Sequence, residues 1–209
     1  MNVLVDAPPQ PLAAYVFAHG AGAPMTHPFM ARFAQGLADR GVAVLRYNFP
    51  YMEAGSKRPD APKVAHATVR DAVAEAARRF PRLPLFAGGK SFGGRMTSQA
   101  QAAEPLPGVK GLVFVGFPLH PAGKPSDERA KHLDDVRVPM LFLQGTNDAL
   151  AELALLQPVV AHLGTRAELA TFEHADHSFH APARSGVTDA QIAQRILDAA
   201  SGWMKDRAA

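Results

Sequence analysis

Short apolar runs alternate with helix-period segments along the whole chain, and few folds accept that alternation. Runs of strand length stand at Ala13–Ala18, Val42–Arg46, Leu83–Ala87, Gly111–Gly116, Pro139–Leu143 and Ala167–Phe172, most of them apolar on both faces. Parallel strands read this way because helices cover both sides of their sheet. Between them lie Phe29–Arg40, Val64–Phe80, Ser91–Ala103, Ala149–Leu163 and Thr188–Lys205, each with helical periodicity. In Val64–Phe80, a face of Val64, Ala67, Thr68, Val73, Ala76, Ala77 and Phe80 is expected to pack on the sheet, with Arg70, Asp71, Glu75, Arg78 and Arg79 in water. The alternation predicts an α/β fold: a three-layer sandwich with a mostly parallel sheet and right-handed crossovers. Its chemistry belongs beyond the carboxyl ends of the strands.

Composition narrows the function classes. The 209 residues, read as a single domain over 1–209, are 47% hydrophobic and 20% charged, which suits a globular chain with a sizeable core. With no cysteine, disulfides, thiolate metal sites and a cysteine nucleophile are excluded. Met1–Asp6 has no basic residue ahead of an apolar run, and Pro8, Pro9 and Pro11 follow. A secretory signal is therefore not expected, and a cytoplasmic location is. No apolar stretch approaches the ~18 residues that span a bilayer. The formal charge of +3 comes from scattered Lys and Arg, so a nucleic-acid partner is not expected either.

The most informative segment is Leu83–Met96, in which Gly89-Lys90-Ser91-Phe92-Gly93 follows an apolar run and opens a helix. This is G-x-S-x-G. A sharp strand-to-helix turn crowds the positions two before and two after the serine, so both want glycine, and the turn lifts the Ser91 hydroxyl clear of the sheet. At the start of a helix the backbone N–H of Phe92 has no intrahelical acceptor and can face a developing oxyanion. The plainer reading makes Ser91 a helix cap. A phosphate-binding loop is rejected because the spacing G-x-x-x-x-G-K-[ST] needs glycine where Pro84 stands. Likewise Gly20-Ala21-Gly22 lacks a third glycine, Met25 standing in its place.

Other loops at strand ends supply partners. His19-Gly20-Ala21-Gly22-Ala23 offers free amides, with the N–H of Ala21 as second oxyanion donor and His19 as a loop brace. The run Pro139–Leu143 leads to Asp148, placed to orient a base, although Asp also caps helices. Asp127, Asp134 and Asp135 follow no such run and are weaker candidates. The last run enters Glu173–His180, which holds three histidines. His177 is the expected base, with His174 and His180 as alternatives; a zinc site built from the three is the competing reading. The irregular stretches Asn48–Pro62 and Phe117–Ser126 are expected to line a pocket, bringing Tyr51, Lys90, Phe117 and His120 near the site. Lys90 and Arg95 are possible contacts for an anionic substrate.

The order Ser91, Asp148, His177 places nucleophile, acid and base as in one hydrolase architecture and unlike the chymotrypsin or subtilisin orders. With HGAGA, GGKSFGGR, QGTNDALA and ADHSF in sequence, the chain resembles the α/β-hydrolase superfamily over nearly its whole length. Its elbow, Gly88 to Arg95, is similar to that of a small capless group related to dienelactone-hydrolase-like proteins. No insertion is long enough for a cap domain, and the two opening strands of the superfamily are reduced to at most Asn2–Val5. Dienelactone hydrolases proper use cysteine, so that activity is not implied. The expected protein is a serine hydrolase acting on a small acyl substrate (a carboxylic ester, thioester or lactone) without cofactor or metal. The alternative is a non-catalytic binding protein on the same scaffold.

Overall fold

The computed structural model describes residues 1–208. Strands β1 (Val3–Asp6), β2 (Ala13–Ala18), β3 (Val42–Tyr47), β4 (Leu85–Lys90), β5 (Val109–Val115), β6 (Met140–Gly145) and β7 (Ala167–Phe172) form one sheet in the order β1-β3-β2-β4-β5-β6-β7. Only β1 runs antiparallel, against β3; the remaining pairs are parallel. The partly buried pair Arg46–Asp6, with Nη2 to Oδ2 at 2.7 Å, fastens β1 to β3.

Alternate strand residues feed opposite layers, as a period of two requires. Ala14, Val16 and Ala18 of β2 face α3 (Pro62–Arg79), α4 (Phe92–Ala103) and α5 (Leu153–Leu163). Ala13, Tyr15 and Phe17 face α1 (Pro28–Ala38) and α6 (Asp189–Asp206). One further short helix, α2 (Pro50–Glu53), follows β3. Among the described residues no cap domain is added to this three-layer sandwich.

The face of α3 differs from the expected one. Its buried residues are Ala65, Thr68, Val69, Ala72, Val73 and Ala76, whereas Val64 is 43% exposed and Ala67 and Ala77 face water. In a helix this rich in alanine two stripes one residue apart carry similar hydrophobicity. The stripe 65-69-72-76 follows the helical repeat better and keeps Val69 inside. Helix α5 begins at Leu153 rather than Ala149, because Asp148 holds the Leu150 N–H on Oδ1 at 2.8 Å and turns the chain first. Strand β4 starts after Pro84 and runs through Gly88 and Gly89 to Lys90.

Parallel pairing brings strand ends into line. Ala18 is level with Gly89, Lys90 with Val115, and Gly145 with Phe172. The loops carrying Ala21, Ser91, Phe117, Asp148 and His177 therefore leave the same edge of the sheet, where ligands of open α/β sheets bind.

Candidate active site

The turn from β4 into α4 is held by contacts that leave no room for a side chain beside it. A Cβ at Gly93 would lie 2.6 Å from the carbonyl oxygens of both Ala18 and His19, and one at Gly89 would lie 2.5 Å from that of Ala18. Backbone atoms cannot swing aside, so Gly93→Ala is expected to cost about 3 kcal/mol of stability. A urea midpoint equal to the parent's would show that the elbow has slack. Between these glycines Ser91 adopts φ 48°, ψ −114°, a conformation that costs on the order of 1–3 kcal/mol in a non-glycine residue. Ser91 occupies the N-cap position of α4, but its side chain makes no capping hydrogen bond.

Ser91 Oγ instead lies 2.8 Å from His177 Nε2, and His177 Nδ1 lies 2.7 Å from Asp148 Oδ2. A carboxylate only accepts, so the imidazole proton sits on Nδ1 and Nε2 is left to accept from the Ser91 hydroxyl. The Asp148 side chain is fully buried and that of His177 is 24% exposed, which keeps the acid dry and the base reachable.

Two residues hold this chain of bonds in ways that the sequence did not signal. Gln144, buried at the end of β6, donates from Nε2 to Asp148 Oδ2 at 2.5 Å and accepts the Phe117 N–H on Oε1 at 3.0 Å. The Phe117 amide fixes which end of the Gln144 amide faces the carboxylate. Lys90 donates from Nζ to the backbone carbonyl of His177 at 2.6 Å, with Nζ 5.3 Å from the ring centre of Phe179. Burial pushes its ammonium down to about 8, against the pull of Asp148 and Asp176. The residue before the nucleophile thus clamps the backbone of the base.

The early glycine loop lies over the elbow. A Cβ at Gly20 would be 3.7 Å from Ser91 Cβ. His19, fully buried, places Nδ1 2.7 Å from the Gly20 carbonyl and accepts the Phe49 N–H on Nε2 at 3.1 Å. Burial lowers its pKa, favouring the neutral ring that this pair of bonds needs. Gly20 C=O and Ala21 N–H belong to one planar peptide and point in opposite directions. By holding the carbonyl, His19 sets the direction of the Ala21 amide. Neither Ala21 N–H nor Phe92 N–H donates to a protein acceptor among the described residues.

Of the residues expected to flank a pocket, Tyr51 remains beside the site, its ring 6.3 Å from that of Phe92. The other three are engaged with the protein itself. Lys90 spends its ammonium on His177. Phe117 is fully buried against Phe114 and Phe142. His120 is also buried, with Nδ1 2.9 Å from the Pro121 carbonyl and Nε2 accepting the Glu152 N–H. Aromatic and imidazole rings after a strand fill the space under a loop as readily as they line its mouth. The three histidines of the last loop diverge: His177 meets Asp148, His180 meets Asp189 at 2.8 Å, and His174 is exposed.

A mostly parallel sheet with a strained serine turn after its central strand defines the α/β-hydrolase class. The chain matches the family model described as an alpha/beta hydrolase domain over residues 11–205, and it belongs to that family. Among solved structures it is similar to a dienelactone hydrolase from Anabaena variabilis, at 22% identity over 98% of this chain and 91% of that one, with a TM-score of 0.76. It is also similar to an α/β serine hydrolase without a lid from Xanthomonas campestris, at 20% identity over 96% and 88%, with a TM-score of 0.72. A monoacylglycerol lipase from Paleococcus ferrophilus shares 15% identity over 99% and 100%, with a TM-score of 0.75. At these identities the likeness is one of fold. Among the described residues no helix is long and apolar enough to cross a membrane.

Proposed function

We propose that the protein is a serine hydrolase that cleaves an ester-like bond (carboxylic ester, thioester or lactone) through an acyl-enzyme on Ser91. The observation that carries this reading is the continuous relay from Ser91 Oγ through His177 to Asp148, with bonds of 2.8 and 2.7 Å. His177 Nε2 takes the hydroxyl proton as Oγ attacks the carbonyl carbon, and Asp148 stabilises the imidazolium. The amides of Ala21 and Phe92 receive the oxyanion, each such donor being worth about 3 kcal/mol of barrier in comparable sites. The imidazolium returns its proton to the leaving alcohol or thiol. Water then repeats the sequence with His177 as base, releasing the acid and restoring Ser91. The family membership and the esterase, lipase and dienelactone hydrolase names of similar structures support the class of reaction.

A fluorophosphonate probe tests the reading, because it labels only an activated serine. The parent protein is expected to be labelled stoichiometrically, and Ser91→Ala not at all. Absence of labelling in the parent would favour a binding protein on a hydrolase scaffold. Short-chain p-nitrophenyl esters, thioesters and lactones then rank the bond type.

Lys90 provides a separate check on positioning. Lys90→Met leaves the Ser91 hydroxyl in place but frees the His177 carbonyl, and displacing a reacting group by about 1 Å is worth ~100-fold in rate. We expect kcat to fall by about 10- to 100-fold with KM little changed. A rise in KM with kcat unchanged would instead put Lys90 on the pocket wall.

A further inference from the structure

The described residues contain three buried side-chain polar atoms without a hydrogen-bond partner: the hydroxyls of Tyr47 and Tyr51 and Nε of Arg95. Two of the three lie against the ring of Phe92, the residue after the nucleophile. Tyr51 stands 6.3 Å from it between ring centres, its hydroxyl near the Gly22 amide but outside hydrogen-bonding geometry. The Arg95 guanidinium carbon is 6.0 Å from the ring centre.

Arg95 is the more demanding of the two. It sits one helical turn after Ser91 in α4, its own N–H bonded to the Ser91 carbonyl. Its guanidinium makes no hydrogen bond or ion pair with any described residue, although the side chain is partly buried. A guanidinium cannot shed its proton at any working pH, so the charge stays. The charge that perturbs it most is Arg129, of the same sign and likewise without an acidic partner among the described residues. The imidazoles nearby do not help. His132, bonded to Ser98 at 2.7 Å, is held down to about 4 by burial and by Arg95, and burial also lowers His66. The distance to Phe92 is at the outer limit for a cation over a ring, and such a contact leaves Nε unsatisfied in any case. A buried donor without a partner is costly in a folded chain, and a guanidinium with a free Nε–H beside its Nη groups has the chemistry to bind a planar oxyanion through two parallel N–H bonds.

We infer that Arg95, beside Arg129, is an anion subsite of the proposed hydrolase, and that the substrate is an ester bearing a carboxylate a few atoms from the scissile carbonyl. The inference rests on the reading of Ser91 as nucleophile for its catalytic arm only. The Cα atoms of Ser91 and Arg95 are four residues apart, about 6 Å of helix rise, which is the span of roughly four or five carbon–carbon bonds. A glutaric monoester fits that spacing.

The test compares three p-nitrophenyl esters of similar length: the hemiglutarate, the neutral butyrate and the cationic 4-aminobutyrate. The parent is expected to prefer the hemiglutarate over the butyrate by at least about tenfold in kcat/KM, as one charge-assisted bidentate contact allows, and to disfavour the cation. In Arg95→Met the ratio of hemiglutarate to butyrate is expected to collapse to about 1; Arg95→Gln serves where the methionine variant does not fold. Equal kcat/KM for the hemiglutarate and the butyrate in the parent, or a preference that survives loss of the guanidinium, overturns the inference. If no ester is turned over and Ser91 is not labelled by fluorophosphonate, the hydrolase reading fails, and calorimetry with glutarate decides the subsite by itself. Binding to the parent that Arg95→Met abolishes supports the subsite, and absence of binding overturns it.

Discussion

His177→Ala is expected to lower kcat for a p-nitrophenyl ester by about 10⁶-fold, the loss seen when the base of such a relay is removed. The reason lies in the single path for the Ser91 proton. Oγ faces Nε2 of His177 at 2.8 Å, and no other histidine of that loop is turned toward it, His180 being engaged with Asp189. Without the imidazole, attack depends on the small fraction of alkoxide formed by hydroxide, so the residual rate should climb about tenfold per pH unit through the alkaline range. Single-turnover rates between pH 6 and 10 give both the size of the loss and that slope. A variant that kept parental kcat would move the base elsewhere and remove the main support for the proposed chemistry.

Asp148→Asn carries the second-largest effect, about 10⁴-fold in kcat, and in this protein it should also destabilise the fold. The carboxylate accepts from three donors: His177 Nδ1–H and Gln144 Nε2–H at Oδ2, and the Leu150 N–H at Oδ1. An amide in the same place has only one oxygen. Turned one way, its NH2 meets His177 and Gln144; turned the other, it meets the Leu150 amide. The first orientation forces the imidazole proton onto Nε2, the wrong nitrogen for accepting from serine. Each orientation leaves donors facing one another in a dry site, at about 1–3 kcal/mol. Asp148→Ala removes the clash, so the isosteric asparagine is expected to be no more stable than alanine in urea unfolding. Parental activity in Asp148→Asn would mean that the Asp148–His177 contact does not orient the base.

The legible parts of the fold were those governed by local periodicity. Ala13–Ala18 is a strand over the same residues, buried at every position, because a backbone covered on both faces leaves apolar side chains little alternative; Ala167–Phe172 keeps its bounds too, although as the edge strand it exposes Glu168 and Thr171. The stripe of α3 was misread where alanines made two faces nearly equivalent. Which of the two was buried followed from the packing of Val69 and Ala72 against the sheet, a tertiary preference that alanine cannot announce. Residues of the candidate site stood out where the chain itself is constrained, as at Gly89 and Gly93, whose missing side chains the Ala18 and His19 carbonyls require. Gln144, Lys90 and His120 carried no such mark. Their roles depend on which backbone group lies opposite, a carbonyl of residue 177 for Lys90 and amides of residues 117 and 152 for the other two.

By itself, then, the sequence determined the layered α/β architecture and the turn that raises Ser91, since both follow from spacing within a few residues. Parallel register decided the rest, by bringing loops 86 and 29 residues apart from His177 to within hydrogen-bonding distance of it. Tertiary packing likewise left the Nε of Arg95 buried without a partner. Contacts across such separations are set by how strands pair and helices pack, and no local pattern encodes the distance between two side chains that only the sheet makes neighbours.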